Sequence, residues 1–122
     1  MSEQTKDNRR HARFGLVEDA IIHPPGKETP IRTLAVEIGL GGLRVRSDTA
    51  LPVGGAYVVR MGDSGPGSFE VGVEVVYSSN VPGSDEHSSG LRFVGASHDQ
   101  RAAIAQYVTG VFQRQAESHV GQ

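Results

Sequence analysis

The 122-residue sequence contains no cysteine, which excludes disulfides, thiolate metal sites and cysteine nucleophiles together and is compatible with a reducing compartment. It also lacks any apolar run near the roughly 20 residues that a helix needs to span a bilayer. Its opening stretch, MSEQTKDNRRHAR, has no hydrophobic core of the signal-peptide kind. Membrane insertion is therefore not expected, and the cytoplasm is the expected location. Tryptophan is absent and the aromatics are Phe 4 and Tyr 3, few for a groove that holds single-stranded nucleic acid by stacking. Charge of neither sign is in large excess: the net value is -2, so the molecule as a whole does not attract polyanions. A polymeric nucleic acid is not an expected partner, and an unrelated small barrel binding one ranks last among the readings.

What the chain has in plenty is glycine, 16 residues dispersed without a repeat. With 37% hydrophobic and 21% charged residues, the composition supports one ordinary core, and the length leaves little room for a second. Many turns between short apolar runs point to an all-β fold. Charge is unevenly spread: within residues 1–14, Lys6, Arg9, Arg10 and Arg13 stand against Glu3 and Asp7, so this end is basic and the remainder acidic. Residues 1–8 are polar and are expected to form a disordered arm, followed by one domain over 9–115 and a frayed tail over 116–122.

Six strands are expected from apolar alternation. Phe14, Leu16, Ala20 and Ile22 share one face of the first, which His23-Pro24-Pro25-Gly26 stops because proline cannot donate to a ladder. Leu34, Val36 and Ile38 alternate on the second, Leu43, Val45 and Ser47 on the third, and Tyr57 to Met61 forms a fourth. The clearest is the fifth, with Phe69, Val71, Val73 and Val75 alternating against Glu70, Gly72 and Glu74. A polar loop over about 78–88 leads to a sixth at Gly90–Val94. The period then changes: Ile104, Tyr107, Val108, Val111 and Phe112 make the stripe of an amphipathic helix, with Ser97 and Gln100 at capping-box spacing. Six strands with one apolar face each predict a closed barrel or a sandwich.

No catalytic constellation is legible. His11, His23, His87, His98 and His119 fall in predicted loops or termini without metal-ligand spacing, and read as solvated side chains. Gly39-Leu40-Gly41-Gly42 follows a strand but leads into another strand, whereas a phosphate-cradling loop needs a helix N-terminus and usually a lysine. The informative cluster is Arg9-Arg10-His11-Ala12-Arg13, three guanidinium groups just before the first strand. A guanidinium is a planar fork that bonds a phosphate or a guanine edge through two hydrogen bonds. Taken alone, such a cluster at a terminus is equally a solvated basic patch.

The cluster does not stand alone, because the sequence resembles the PilZ family. That family's RxxxR motif before the first strand is matched by Arg9 and Arg13. Its [D/N]xSxxG motif, at the junction of the second and third strands, falls on Glu37-Ile38-Gly39-Leu40-Gly41-Gly42, and Gly90-Leu91-Arg92-Phe93 is similar to the family's late strand. The resemblance covers roughly residues 8–115. It implies a six-stranded antiparallel PilZ-type β-barrel with a C-terminal amphipathic helix, no catalytic activity, no metal and no cofactor. Its implied ligand is cyclic di-GMP, held by Arg9, Arg13 and Arg10, with Glu37, Gly39 and Gly42 at the second motif and Gly42 allowing close backbone approach. Ordering of residues 1–13 on binding would be the switch that a protein partner reads, and the family points to motility or surface behaviour. This chain departs from the family at Glu37, where Asp or Asn is usual, and at Gly39, where Ser is usual. Losing one hydroxyl contact costs about 0.5–1.5 kcal/mol, near a tenfold loss of affinity. The alternative is a degenerate PilZ adaptor that binds no nucleotide and acts through protein contacts alone.

Overall fold

The computed structural model describes residues 13–26, 29–62 and 67–120. Six strands, β1 (Arg13–His23), β2 (Ile31–Gly39), β3 (Gly42–Ser47), β4 (Ala56–Met61), β5 (Phe69–Asn80) and β6 (His87–Val94), precede one helix, α1 (His98–Val120). All neighbouring strands are antiparallel and close a barrel in the order β1-β2-β3-β6-β5-β4. Closure is made by the second half of β1, which pairs Ala20 with Met61, Ile21 with Arg60, Ile22 with Val59 and His23 with Val58.

Alternation dictates the core. Val71, Val73 and Val75 on β5, Leu43 and Val45 on β3, Val59 and Met61 on β4, and Ala20 and Ile22 on β1 all point inward and are buried. β-Branched side chains suit this pleated, curved surface. β3 and β4 are not neighbours, so the connection between them crosses one mouth of the barrel, and Leu51 within it is buried at 1% exposure in the core. The opposite mouth is covered by α1. Ile104, Tyr107, Val108 and Val111 are buried there, with Tyr107 edge-on to Phe69 at 5.4 Å between ring centroids and Phe69 edge-on to Phe93 at 5.9 Å. The helix starts where the capping box predicts: Gln100 N–H donates to Ser97 Oγ at 3.1 Å, and Ser97 N–H donates to Gln100 Oε1 at 2.7 Å. The Gln100 amide also donates to the Glu70 carbonyl at 2.8 Å, fastening the cap to β5.

Several expectations are corrected. Leu34, Val36 and Ile38 do not share a face: Thr33 and Ala35 point inward, Leu34 is 37% exposed, and Ile38 returns to the core. The cause is a β-bulge, since Ala35 pairs with Val45 but Glu37 with Arg44, leaving Val36 as the extra residue. Equivalent bulges lie between Gly15 and Glu18 in β1, where Val17 is 73% exposed, and between Val75 and Tyr77 in β5. The loop expected over 78–88 is shorter, 81–86, because β5 and β6 continue in register to the Asn80–His87 pair before turning. His87 consequently sits in a strand, and so does His23, the last residue of β1, paired with Val58. Phe112, the last residue of the expected stripe, is 52% exposed. The helical backbone runs to Val120.

Two measurements probe the helix and its seat. A Cβ on Gly110 would meet only the end of the Arg114 side chain at 3.7 Å, so Gly110→Ala gains helix propensity without a clash and is expected to stabilise by about 1 kcal/mol in urea unfolding. The Tyr107 hydroxyl is buried without a hydrogen bond of good geometry. Burial first, and the nearby Glu18 carboxylate second, push its pKa up to about 12, with the Arg114 guanidinium pulling the other way. The protonated phenol is thus the form the fold favours. Tyr107's contribution to stability is complete below its ordinary pKa of 10.0 and is lost as pH rises from there through about 12. Ultraviolet titration with Tyr107→Phe as the blank should find this group ionising near pH 12, and earlier in Glu18→Gln.

Candidate functional site

β1 begins alongside the end of β2. Arg13 pairs with Gly39, Phe14 with Ile38 and Gly15 with Glu37, so the chain enters the barrel at the turn formed by Leu40 and Gly41. Through the backbone, the fold thus brings four of the expected site residues together: Arg13, Glu37, Gly39 and Gly42. Arg9 and Arg10 lie outside the described residues.

Each of the placed residues has a local reason for its position. Glu37 follows the β2 bulge and turns outward, where its carboxylate faces the Arg44 Nε at 3.5 Å; both side chains are about one-third exposed (31% and 35%). Gly39 ends β2 in a buried position. Gly42 opens β3 opposite Arg92, and a Cβ there would lie 2.1 Å from the Leu91 carbonyl oxygen and 3.2 Å from the Arg92 Cα. The close approach that demands glycine at 42 is thus to β6 of the barrel itself. Across the turn, the Phe93 N–H donates to the Gly41 carbonyl at 3.0 Å, locking the second motif onto the late strand.

Outside the barrel wall, Gly41, Gly42 and Gly90 form the low floor of a groove of about 390 Å³. Its far side is Tyr77. A Cβ on Gly90 would stand 2.2 Å from the Tyr77 ring, so the bare glycine lets the ring lie across the strand, the tyrosine remaining 40% exposed. The β5 bulge produces this arrangement, since Val75 is buried while Val76 and Tyr77 are both turned outward. Arg92 lines the same groove, paired with Glu74 on β5. Further along, Arg46 pairs with Glu86 at 2.7 Å. On the helix side of the Leu40–Gly41 turn lies a wider cleft of about 550 Å³, bordered by Phe93, Arg101 and Ile104. This half of the barrel therefore offers an aromatic face, glycine-floored access to backbone and several guanidinium groups. That is equipment for holding a planar, anionic ligand. Among the described residues, no three of His, Asp and Glu converge in a way that would hold a metal, and no helix is long and apolar enough to cross a membrane.

The PilZ domain model matches residues 7–110. The chain belongs to the PilZ domain family. Among solved structures, the barrel is similar to the PilZ domain of YcgR from Escherichia coli with cyclic di-GMP (TM-score 0.72, 15% identity, 93% of this chain and 98% of that one). It is also similar to the inhibitor of motility MotI/DgrA of Bacillus subtilis (TM-score 0.69, 21% identity, 89% of this chain). A third similar structure is a tetrameric PilZ domain from Xanthomonas campestris, self-assembled through a helical bundle (TM-score 0.57, 20% identity, 75% of this chain). The chain spans about half the length of the Bacillus and Xanthomonas proteins, 52% and 51% respectively. No curated protein sequence matches it significantly. At these identities the solved structures establish the fold: a six-stranded antiparallel closed barrel with a C-terminal helix.

Sequence reasoning missed Arg44, Tyr77 and Arg92. The signal for Arg44 was present, because Leu43 and Val45 point inward and the residue between them must point out. Tyr77 was not readable, since its direction depends on a bulge. A clean test of the steric role of Gly42 is Gly42→Ala. The methyl group must push β3 from β6, and urea unfolding should show a loss of at least about 2 kcal/mol without any ligand present. An unchanged midpoint would mean that the close strand approach is not what requires glycine at that position.

Proposed function

We propose that this protein is a cyclic di-GMP-binding PilZ receptor or adaptor module that acts in the cytoplasm, performs no catalysis itself, and conveys messenger binding to a protein partner in control of motility or surface behaviour. One observation carries the reading. Arg13 is in register with Gly39, so β1, which Arg9 and Arg10 precede in the sequence, starts at the second motif, near Gly42 and the turn that floors the Tyr77 groove. A guanine base has a planar face for Tyr77 and an acceptor edge for arginine, and the two phosphates call for further guanidinium groups. Support also comes from the family match and from the barrel's similarity to the PilZ domain of YcgR with this nucleotide and to the inhibitor of motility MotI/DgrA.

A second reading is favoured by the Glu37–Arg44 pair. Here the glutamate that replaces the family's Asp or Asn faces a guanidinium that a phosphate would otherwise take. On that reading the chain is an adaptor that has lost the nucleotide. Calorimetric titration of cyclic di-GMP into the wild type and into Arg9→Ala/Arg13→Ala separates the two. Receptor function requires a dissociation constant in the micromolar range, weakened at least about 100-fold in the double variant, since each charge-assisted contact contributes about 1.5–3 kcal/mol. Tyr77→Ala should weaken binding about tenfold through lost stacking. A folded wild type that gives no heat up to about 0.5 mM nucleotide leaves the adaptor reading in place.

A further inference from the structure

The cleft between the Leu40–Gly41 turn and α1 adjoins the Tyr77 groove. Gly41 and Phe93 line both hollows, and the hydrogen bond from the Phe93 N–H to the Gly41 carbonyl lies between them. Gly41 has no side chain to raise this divide. On the helix side, Leu40 stands 55% exposed, Phe93 is half-buried, and Ile104 and Ala105 line the wall formed by α1. A Cβ on Gly95 would meet nothing within 4 Å, so the cleft is open there. Among the described residues, the one charged side chain lining it is Arg101. That side chain is exposed and has no ion pair or hydrogen bond among the described residues. Along β6, the Tyr77 ring lies over Gly90 and the cleft begins at Phe93, three residues or about 10 Å further on.

We propose that one molecule of cyclic di-GMP straddles this divide, with one guanine on Tyr77 and the other in the cleft, where Arg101 reads its edge. The inference rests on the nucleotide reading above and deepens it, because it assigns the second base, the stoichiometry and a contact on the helix. The two bases of this ligand project from opposite ends of one sugar–phosphate ring, and the two hollows stand on opposite sides of one bare glycine. Guanine answers both the walls of the cleft and its cation. Its flat faces suit Leu40 and Phe93, and its O6 and N7 accept both N–H groups of a guanidinium fork. An apolar side chain from a protein partner would fill the walls and leave Arg101 unanswered. Adenine presents an N6 donor where guanine has O6, so Arg101 also selects against an adenine dinucleotide. Because Tyr77 is on β5 and Arg101 on α1, a single ligand touches barrel and helix at once.

The test follows the whole chain by nuclear magnetic resonance and calorimetry as cyclic di-GMP is added, with cyclic di-AMP in a parallel sample. One equivalent of cyclic di-GMP is expected to saturate the chain and to shift the amides of Gly95, Ala96 and Ala105 together with those of Gly39, Gly42 and Tyr77. One guanine H8 should show Overhauser contacts to the Leu40 and Ala105 methyl groups, and the other to the Tyr77 ring. Arg101→Gln should weaken cyclic di-GMP at least about tenfold and narrow its preference over cyclic di-AMP by a similar factor. Ala105→Glu places a carboxylate four residues from Arg101 on the helix, where it answers the cation, and should weaken binding likewise. Both positions are exposed, and an unchanged melting temperature certifies the fold of each variant. The proposal is overturned if Gly39, Gly42 and Tyr77 shift while Gly95, Ala96 and Ala105 do not. Two nucleotides bound per chain, or wild-type affinity in Arg101→Gln, would overturn it equally. If none of these amides shifts, the nucleotide reading itself fails and this inference falls with it, an outcome distinct from the others.

Discussion

Everything in this molecule depends on closing six strands into a barrel. A sheet this small must bend sharply to bring β1 back against β4, and the bend is made by extra residues in β1, β2 and β5. A bulge raises local twist and swings the strand, which an evenly paired ladder cannot do. The same insertions decide what faces outward. Val36 absorbs the β2 bulge and lets Ile38 fill the core while Glu37 turns to Arg44. On β5, the bulge sets Tyr77 over Gly90. The surface equipment of the candidate site is thus a by-product of the geometry that closes the core.

Closure also explains the position of the helix. β4 covers the second half of β1 and stops at Ala20, so the first half of β1 projects beyond it toward the mouth that α1 covers. There the Gly15 carbonyl accepts a hydrogen bond from the Gln115 side chain, and Glu18 stands near the buried Tyr107 hydroxyl. The strand that carries Arg13 is therefore held on one side by β2 and on the other by the helix. The Arg13–Gly39 junction and the residues that seat α1 thus share the first half of β1. The fold thereby divides its wall into two halves. One has glycines, an aromatic ring and paired charges, suited to a flat ligand. The other carries Arg32 and Arg60 on either side of Ile21.

Much of this was legible before any coordinates. Regular alternation in β3 and β5 named their buried residues correctly, and Ser97 with Gln100 marked the helix start to the residue. The order of Arg9, Arg13, the Glu37–Gly42 segment and Gly90–Phe93 pointed to the family that the domain match establishes. The reading failed where periodicity breaks. Leu34 was assigned inward because a single bulge exchanges the faces of a strand, and nothing in the residues around Val36 announces one. The hairpin extension through Ser78–Asn80 was missed because its residues are polar, and its strand character comes from pairing with His87–Ser89 instead of from burial of an apolar face.

The sequence by itself determined the class of fold, the inward residues of the regular strands, the helix and its cap, and the basic segment ahead of β1, because these follow from local periodicity and side-chain chemistry. The tertiary structure decided which side chains meet: Glu37 with Arg44, Gly42 with the Leu91 carbonyl, Tyr77 with Gly90, and Arg32 and Arg60 on either side of Ile21. Those meetings depend on register between strands far apart in the chain. One inserted residue reverses the side to which every following side chain points, and only closure of the whole barrel fixes where such a residue is inserted.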